Sequence, residues 1–78
     1  MKTVKVLLNT VDKVKAFVNT VNTLDSDFDL VSGRYVVDAK SIMGIFSLDL
    51  SSPLTLNIHS DENADEIIKK LDSFVIKY

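Results

Sequence analysis

Residues 40–48 read Lys-Ser-Ile-Met-Gly-Ile-Phe-Ser-Leu, and the elements on either side can be assigned starting from this stretch. Its apolar residues Ile42, Ile45 and Phe46 recur at the three- and four-residue steps of a helix. Ser41 stands directly before them, where its hydroxyl can accept a hydrogen bond from a free amide of the first turn. The stretch therefore predicts a short helix that is capped by Ser41.

The chain on the N-terminal side of this helix predicts a β-hairpin. Residues 28–31 and 34–37 are strand-like runs separated by Ser32 and Gly33. Gly33 supplies the positive φ that a tight turn between two strands needs. We therefore expect two antiparallel strands directly before the short helix.

The beginning of the chain predicts a strand followed by a helix. Residues 3–8 alternate between two faces, which is the period of a half-buried strand. Thr10 then stands at an N-cap position, and Asp12 lies near the positive end of the following helix. From residue 11 the period lengthens to that of an amphipathic helix, with the apolar stripe Val11, Val14, Phe17, Val18, Val21 and Leu24.

The C-terminal part predicts a loop over residues 49–53, a fourth strand and a last helix. Leu54, Leu56 and Ile58 alternate with polar residues, as in a strand with one buried face. Ser60 or Asp61 is expected to cap the last helix. The apolar stripe of that helix is Ala64, Ile67, Ile68, Leu71, Phe74 and Val75.

The resulting order is βαββαβα, which predicts the α+β fold class. Antiparallel strands and helices of these lengths form a two-layer sandwich, with helices on one face of the sheet and the other face open to water. The residues expected to point from the strands into the core are Val4, Val6, Leu8, Phe28, Leu30, Tyr35, Val37, Leu56 and Ile58.

Length and composition limit the class of protein. A chain of 78 residues with 46% hydrophobic residues can hold one core, so residues 1–78 are expected to form a single domain. The absence of cysteine excludes disulfides and thiolate metal sites. A net charge of −2, without long basic or apolar runs, argues against nucleic acid and membrane as partners. We expect a cytoplasmic monomer.

The residues alone identify no catalytic site. His59 is the only histidine, and the alternation of the fourth strand places it on the outer side, where it reads as an ordinary surface residue. The carboxylates fall in turns and in the first turn of a helix. Gly44 is isolated, so no phosphate-binding glycine loop is present. No enzyme activity, metal or cofactor is expected.

Residues 40–48 closely resemble the K-S-I-M-G-V-M-S-L segment of HPr, the histidine-containing phosphocarrier protein of the bacterial sugar phosphotransferase system. The resemblance runs without gaps back through residues 24–30 and forward to residues 56–58. It implies an HPr-like open-faced sandwich, with a four-stranded antiparallel sheet in the order 1-4-2-3 and three helices on one face. It also implies protein partners from the phosphotransferase system or from carbon regulation.

The first helix departs from the family pattern at its N-terminus. In the ungapped register, the family's H-A-R-P-A falls on residues 10–14, so that Thr10 occupies the position of the phosphoacceptor histidine. Asp12 then replaces the arginine that assists phosphate, and Lys13 is at best a partial substitute. A threonine phosphate ester is too stable to pass its phosphoryl group on. We expect that histidine phosphotransfer has been lost and that the chain is an interaction or regulatory domain.

Ser41 corresponds to the serine that a dedicated kinase phosphorylates in HPr proteins of Gram-positive bacteria, although its capping role alone accounts for its presence. Of the residues around it, Ile42, Met43 and Phe46 are the candidates for partner contact. Two alternatives stay open. One is a phosphocarrier that uses Thr10, Ser41 or His59, and the other is a relative in fold only, with an unrelated ligand.

Overall fold

The computed structural model describes residues 2–60 and 62–76, and their elements follow the predicted βαββαβα order. The strands and helices along these residues are β1 (Lys2–Val6), α1 (Val11–Asn22), β2 (Phe28–Ser32), β3 (Tyr35–Asp38), α2 (Ile42–Phe46), β4 (Leu54–Ile58) and α3 (Ala64–Lys70). The hairpin between β2 and β3 turns at Gly33, whose φ of 60° confirms the expected positive value.

The four strands form one antiparallel sheet in the order β1-β4-β2-β3. β4 lies between β1 and β2, with Val6 opposite Leu54 and Lys2 opposite Ile58. β3 pairs only with β2 in this sheet, so β1 and β3 are its two edges. The strand order implied by the family resemblance is therefore confirmed.

The core lies between one face of the sheet and the three helices of the described residues. Phe17 of α1 meets Phe74 edge to face, with ring centroids 5.5 Å apart. The opposite face is polar, and on it the Lys5 Nζ donates to the Thr55 Oγ1 at 2.7 Å. Most of the side chains predicted to point inward are fully buried, namely Val6, Leu8, Phe28, Leu30, Leu56 and Ile58, and Val4 and Val37 are partly buried against them.

The predicted burial is wrong at two positions, because both residues lie at the ends of their elements. Tyr35, the first residue of β3, is 67% exposed beside the hairpin turn on an edge strand. Val11, the first residue of α1, is 55% exposed. A periodic pattern does not show where the covering layer ends, which is why both residues fit the stripe without being buried.

The last helix is shorter at both ends than predicted. Its N-cap residue is Asn63 instead of Ser60, whose Oγ donates to the Asn63 Oδ1, while Asp61 lies outside the described residues. After α3 the chain leaves the helical path, so Phe74 and Val75 are not helical, although Phe74 is buried. Val75 instead forms an antiparallel bridge with Val6 of β1. A buried apolar residue that follows a helix, such as Phe74, can thus keep the helical spacing in the sequence without being part of the helix.

Candidate functional sites

The N-terminus of α1 is closed by Thr10, as predicted. The Thr10 Oγ1 accepts a hydrogen bond from the Lys13 backbone N–H at 3.1 Å, and the Thr10 carbonyl accepts from Val14 at 3.1 Å. Asp12 supplies an acidic group to the first turn, and the Lys13 Nζ donates to the Asn9 Oδ1 at 3.1 Å. Asp12 therefore offsets the positive end of the helix dipole that an anion would otherwise use.

Ser41 caps α2 in the same way. Its Oγ accepts from the Gly44 backbone N–H at 3.2 Å, and its carbonyl accepts from Ile45 at 3.0 Å. The Ser41 residue is exposed. A Cβ on Gly44 would lie 3.2 Å from the Ser41 Oγ and 3.3 Å from the Val37 Cβ, so this glycine allows α2 to lie close to both. The predicted cap is confirmed.

α2 buries one side chain and leaves others accessible. Ile45 is fully buried and Ile42 packs on the core while partly exposed. Met43 is 77% exposed and Phe46 is 40% exposed, so both present apolar surface to solvent. α2 packs against α1, whose Val11 is also exposed. The two helices thus form a layer with three accessible apolar side chains.

His59 follows the last residue of β4 and joins an acidic groove. Its Nε2 lies 2.6 Å from the Asp29 Oδ2, and its backbone N–H donates to the Asp27 carbonyl at 3.0 Å. An open groove of about 380 Å³ is lined by Asp27, Phe28, Asp29, Asp38 and His59. The three carboxylates make this groove unfavourable for a phosphoryl group, since the carboxylates and the phosphoryl group all carry negative charge.

The structure keeps Thr10 and His59 apart. β1 ends at Val6, opposite Leu54, and Thr10 follows from that end of the sheet. His59 follows Ile58, which is opposite Lys2 at the other end. The five residues of β4 span about 13 Å between these ends. The two residues therefore do not form one site.

Sequence reasoning missed two polar contacts that depend on the tertiary fold. The Lys40 Nζ donates to the Leu24 carbonyl at 2.9 Å and lies 5.8 Å from the Phe28 ring centroid, which connects the end of α1 to the start of α2. The contact between Asp29 and His59 requires β2 and β4 to be neighbours. No local signal in the sequence identifies either contact.

Other features of the described residues place limits on the chemistry. The Ser51 hydroxyl and backbone N–H both donate to Asp49 and lower the pKa of that exposed carboxyl. Within residues 2–60 and 62–76, no three His, Cys, Asp or Glu side chains are grouped to hold a metal ion. None of the helices in the same part of the chain is long and apolar enough to cross a membrane.

A four-stranded sheet in the order 1-4-2-3, covered by helices on one face and carrying a serine cap on the short second helix, defines an HPr-like α+β sandwich. The family model described as the PTS HPr component phosphorylation site matches residues 12–77. The chain belongs to the HPr family, and HPr itself is a phosphocarrier rather than a catalytic enzyme. The matched range includes Ser41 and His59 but begins after Thr10, so the assignment of Thr10 to the histidine position stays a prediction.

Solved structures of this family are similar to the chain. HPr-C-His from Thermoanaerobacter tengcongensis is 30% identical, with a TM-score of 0.78 over 94% of this chain and 89% of that one. The phosphocarrier protein HPr from Bacillus anthracis is 29% identical, with a TM-score of 0.71 over 96% and 94%. Crh, a catabolite repression protein of Bacillus subtilis, is 26% identical, with a TM-score of 0.63 over 95% and 88%. A comparison with curated protein sequences gives no match.

Proposed function

We propose that this HPr-family domain has lost histidine phosphotransfer and acts as a non-enzymatic interaction or regulatory domain related to the phosphotransferase system. The proposal rests on the residues found at the α1 N-terminus. Thr10 caps the helix there, Asp12 occupies its first turn, and the only histidine of the sequence follows β4 at the other end of the sheet.

The chemistry at Thr10 supports this proposal. A carrier must hold its phosphoryl group in a labile bond, as a phosphoimidazole does, whereas a threonine ester is stable. The Thr10 Oγ1 accepts from the Lys13 backbone N–H, so the hydroxyl serves as the cap of α1. Asp12 adds repulsion toward an incoming phosphoryl group, and the nearby Lys13 ammonium is held by Asn9.

His59 is the second candidate for a phosphoacceptor, and its contact with Asp29 favours that role. A carboxylate on Nε2 orients an imidazole, and the contact with Asp29 leaves the other ring nitrogen, Nδ1, outside this pair. The groove opposes this role, because Asp27 and Asp38 line it together with Asp29 and repel a phosphoryl donor. We therefore rank His59 below loss of transfer.

The helical layer provides the interaction surface of the proposed function. Met43, Phe46 and Val11 are accessible apolar residues on two helices that contact each other. Exposed apolar side chains on such helices are stabilised when a partner covers them. The proposed partners are proteins of the phosphotransferase system or of carbon regulation.

Ser41 offers a means of regulating this surface. A phosphate on its Oγ would lie at the α2 N-terminus, where free amides and the helix dipole favour negative charge. The same phosphate would place charge next to Met43 and change the affinity for an apolar partner. The proposal thus assigns Ser41 a regulatory role in addition to the cap.

A rescue series tests the proposal. The wild-type chain, Thr10→His and Thr10→His with Asp12→Arg are each incubated with enzyme I and labelled phosphoenolpyruvate. In a parallel set, each of the three proteins also carries His59→Asn, which removes the native imidazole. We expect no acid-labile label on wild type, little on the single variant and more on the double variant. Label on wild type that disappears with His59→Asn would instead support His59 as the acceptor.

A further inference from the structure

The two edges of the sheet differ in how they are protected. β1 carries Lys2 and Lys5, and the C-terminal segment covers its end, because the Ile76 N–H donates to the Lys5 carbonyl at 2.9 Å. β3 reads Tyr-Val-Val-Asp, without lysine or proline. Charged edge residues and covering segments are the usual means of preventing strand pairing between molecules. β3 has neither lysine nor proline, no strand pairs with its outer side over the described residues, and its one charged residue is Asp38.

The hydrogen-bond pattern shows which backbone groups of β3 face outward. The Ala39 N–H, directly after β3, donates to the Phe28 carbonyl at 3.0 Å. Residue 39 is therefore a position whose backbone bonds to β2. Bonded and non-bonded positions alternate along an antiparallel pair. Tyr35 and Val37 are in the bonded series, so the N–H and C=O of Val36 point away from β2.

We propose that the outer edge of β3 pairs antiparallel with β3 of a second copy, with the twofold axis at Val36. The Val36 N–H of each copy then donates to the Val36 C=O of the other, and the two sheets become continuous. This inference is independent of the proposed function, and it replaces the monomer expected from the sequence with a self-associating domain.

Charge complementarity argues for a second copy as the occupant and for this register. With the axis at Val36, Arg34 lies opposite the partner's Asp38, and symmetry creates this pair twice. Within the described residues Arg34 forms no ion pair, and Asp38 is exposed. A net charge of −2 adds little repulsion between copies.

The same register covers the two apolar residues of β3 that the monomer leaves exposed. Tyr35, 67% exposed, lies opposite the partner's Val37, which forms an aromatic and β-branched cross-strand pair. Val36, 61% exposed, lies opposite the partner's Val36 on the open face. The interface of a four-residue strand is smaller than the roughly 1,200 Å² of stable complexes, so the dimer should be weak.

The first measurement is self-association as a function of concentration. Sedimentation equilibrium from about 10 μM to about 1 mM is expected to show a monomer converting to a dimer. Amide hydrogen exchange should slow at Val36 as concentration rises, while Tyr35 and Val37, whose N–H groups bond to β2, serve as internal controls. A chain that stays monomeric to about 1 mM overturns the proposal and leaves this edge for an extended segment of another protein. A dimer without slower exchange at Val36 also overturns it.

Charge reversal tests the register. Arg34→Glu and Asp38→Arg should each weaken self-association by roughly fivefold or more, because like charges then face each other twice. A mixture of the two variants restores opposite charges at both positions and should form a heterodimer. Lys69→Glu on α3 changes net charge as Arg34→Glu does and should leave association unchanged. If Asp38→Arg does not fold, Val36→Lys replaces it, with Val36→Thr as its control. Equal association of Arg34→Glu and wild type overturns the register.

Discussion

Leu71→Ala tests whether the last helix is docked as described. The Leu71 side chain is fully buried at the C-cap of α3 and belongs to the same core as Phe17 and Phe74. Truncating a leucine in such a position loses the transfer free energy of its methyl groups and leaves a cavity, at a cost of about 2–5 kcal/mol. A domain of 78 residues has a free energy of unfolding of about 4–12 kcal/mol, so a large part of the stability is removed.

Urea unfolding followed by circular dichroism measures this loss. The midpoint should fall with little change in the slope, since the fold and the surface exposed on unfolding stay similar. In thermal unfolding, each lost kcal/mol should lower Tm by about 4–8 °C. Val11→Ala is the control, because Val11 is apolar and helical but 55% exposed, and its cost should stay within about 0.5 kcal/mol. A loss below about 1 kcal/mol for Leu71→Ala would refute the assigned buried face of α3.

Three further predictions concern local features. Thr10→Ala should destabilise the chain by about 1 kcal/mol in urea unfolding because it removes the α1 cap, whereas Thr10→Ser keeps the hydroxyl and should be nearly neutral; equal costs would contradict the capping role. Gly33→Ala should cost about 1–2 kcal/mol in the same assay, since the turn requires a φ of 60°, and a neutral result would argue against this turn. Treatment with an HPr-type kinase and ATP should add phosphate at Ser41 by mass spectrometry, with Ser41→Ala as the control; labelling of an ordinary HPr but not of this chain would leave Ser41 with the cap alone.

The sequence was most informative where a periodic pattern coincides with the middle of an element. Phe17, Leu56 and Ile58 repeat at helical or strand spacing and are fully buried. Gly33 and Ser41 were predictable because a tight turn and a helix N-terminus each require specific backbone or side-chain chemistry. These local requirements explain why the order of elements could be predicted.

Prediction failed where the outcome depends on what lies next to an element. Tyr35 fits the strand alternation but lies beside the turn of an edge strand, where it stays exposed. Asn63 precedes α3 in place of the predicted Ser60, and the two side chains bond to each other, an arrangement that residue type alone does not show. The pairing of Asp29 with His59 follows from the order of strands, which came from the family resemblance rather than from periodicity.

The most direct test of lost histidine phosphotransfer is the intact mass of the wild-type chain after incubation with enzyme I and excess phosphoenolpyruvate, kept at neutral pH. An ordinary HPr in the same tube confirms that the donor is active. We expect that HPr gains the mass of one phosphoryl group while this chain keeps its unmodified mass, because no imidazole lies at the α1 N-terminus and Asp12 repels the donor. A stoichiometric mass gain of this chain that acid removes would contradict the loss of histidine phosphotransfer.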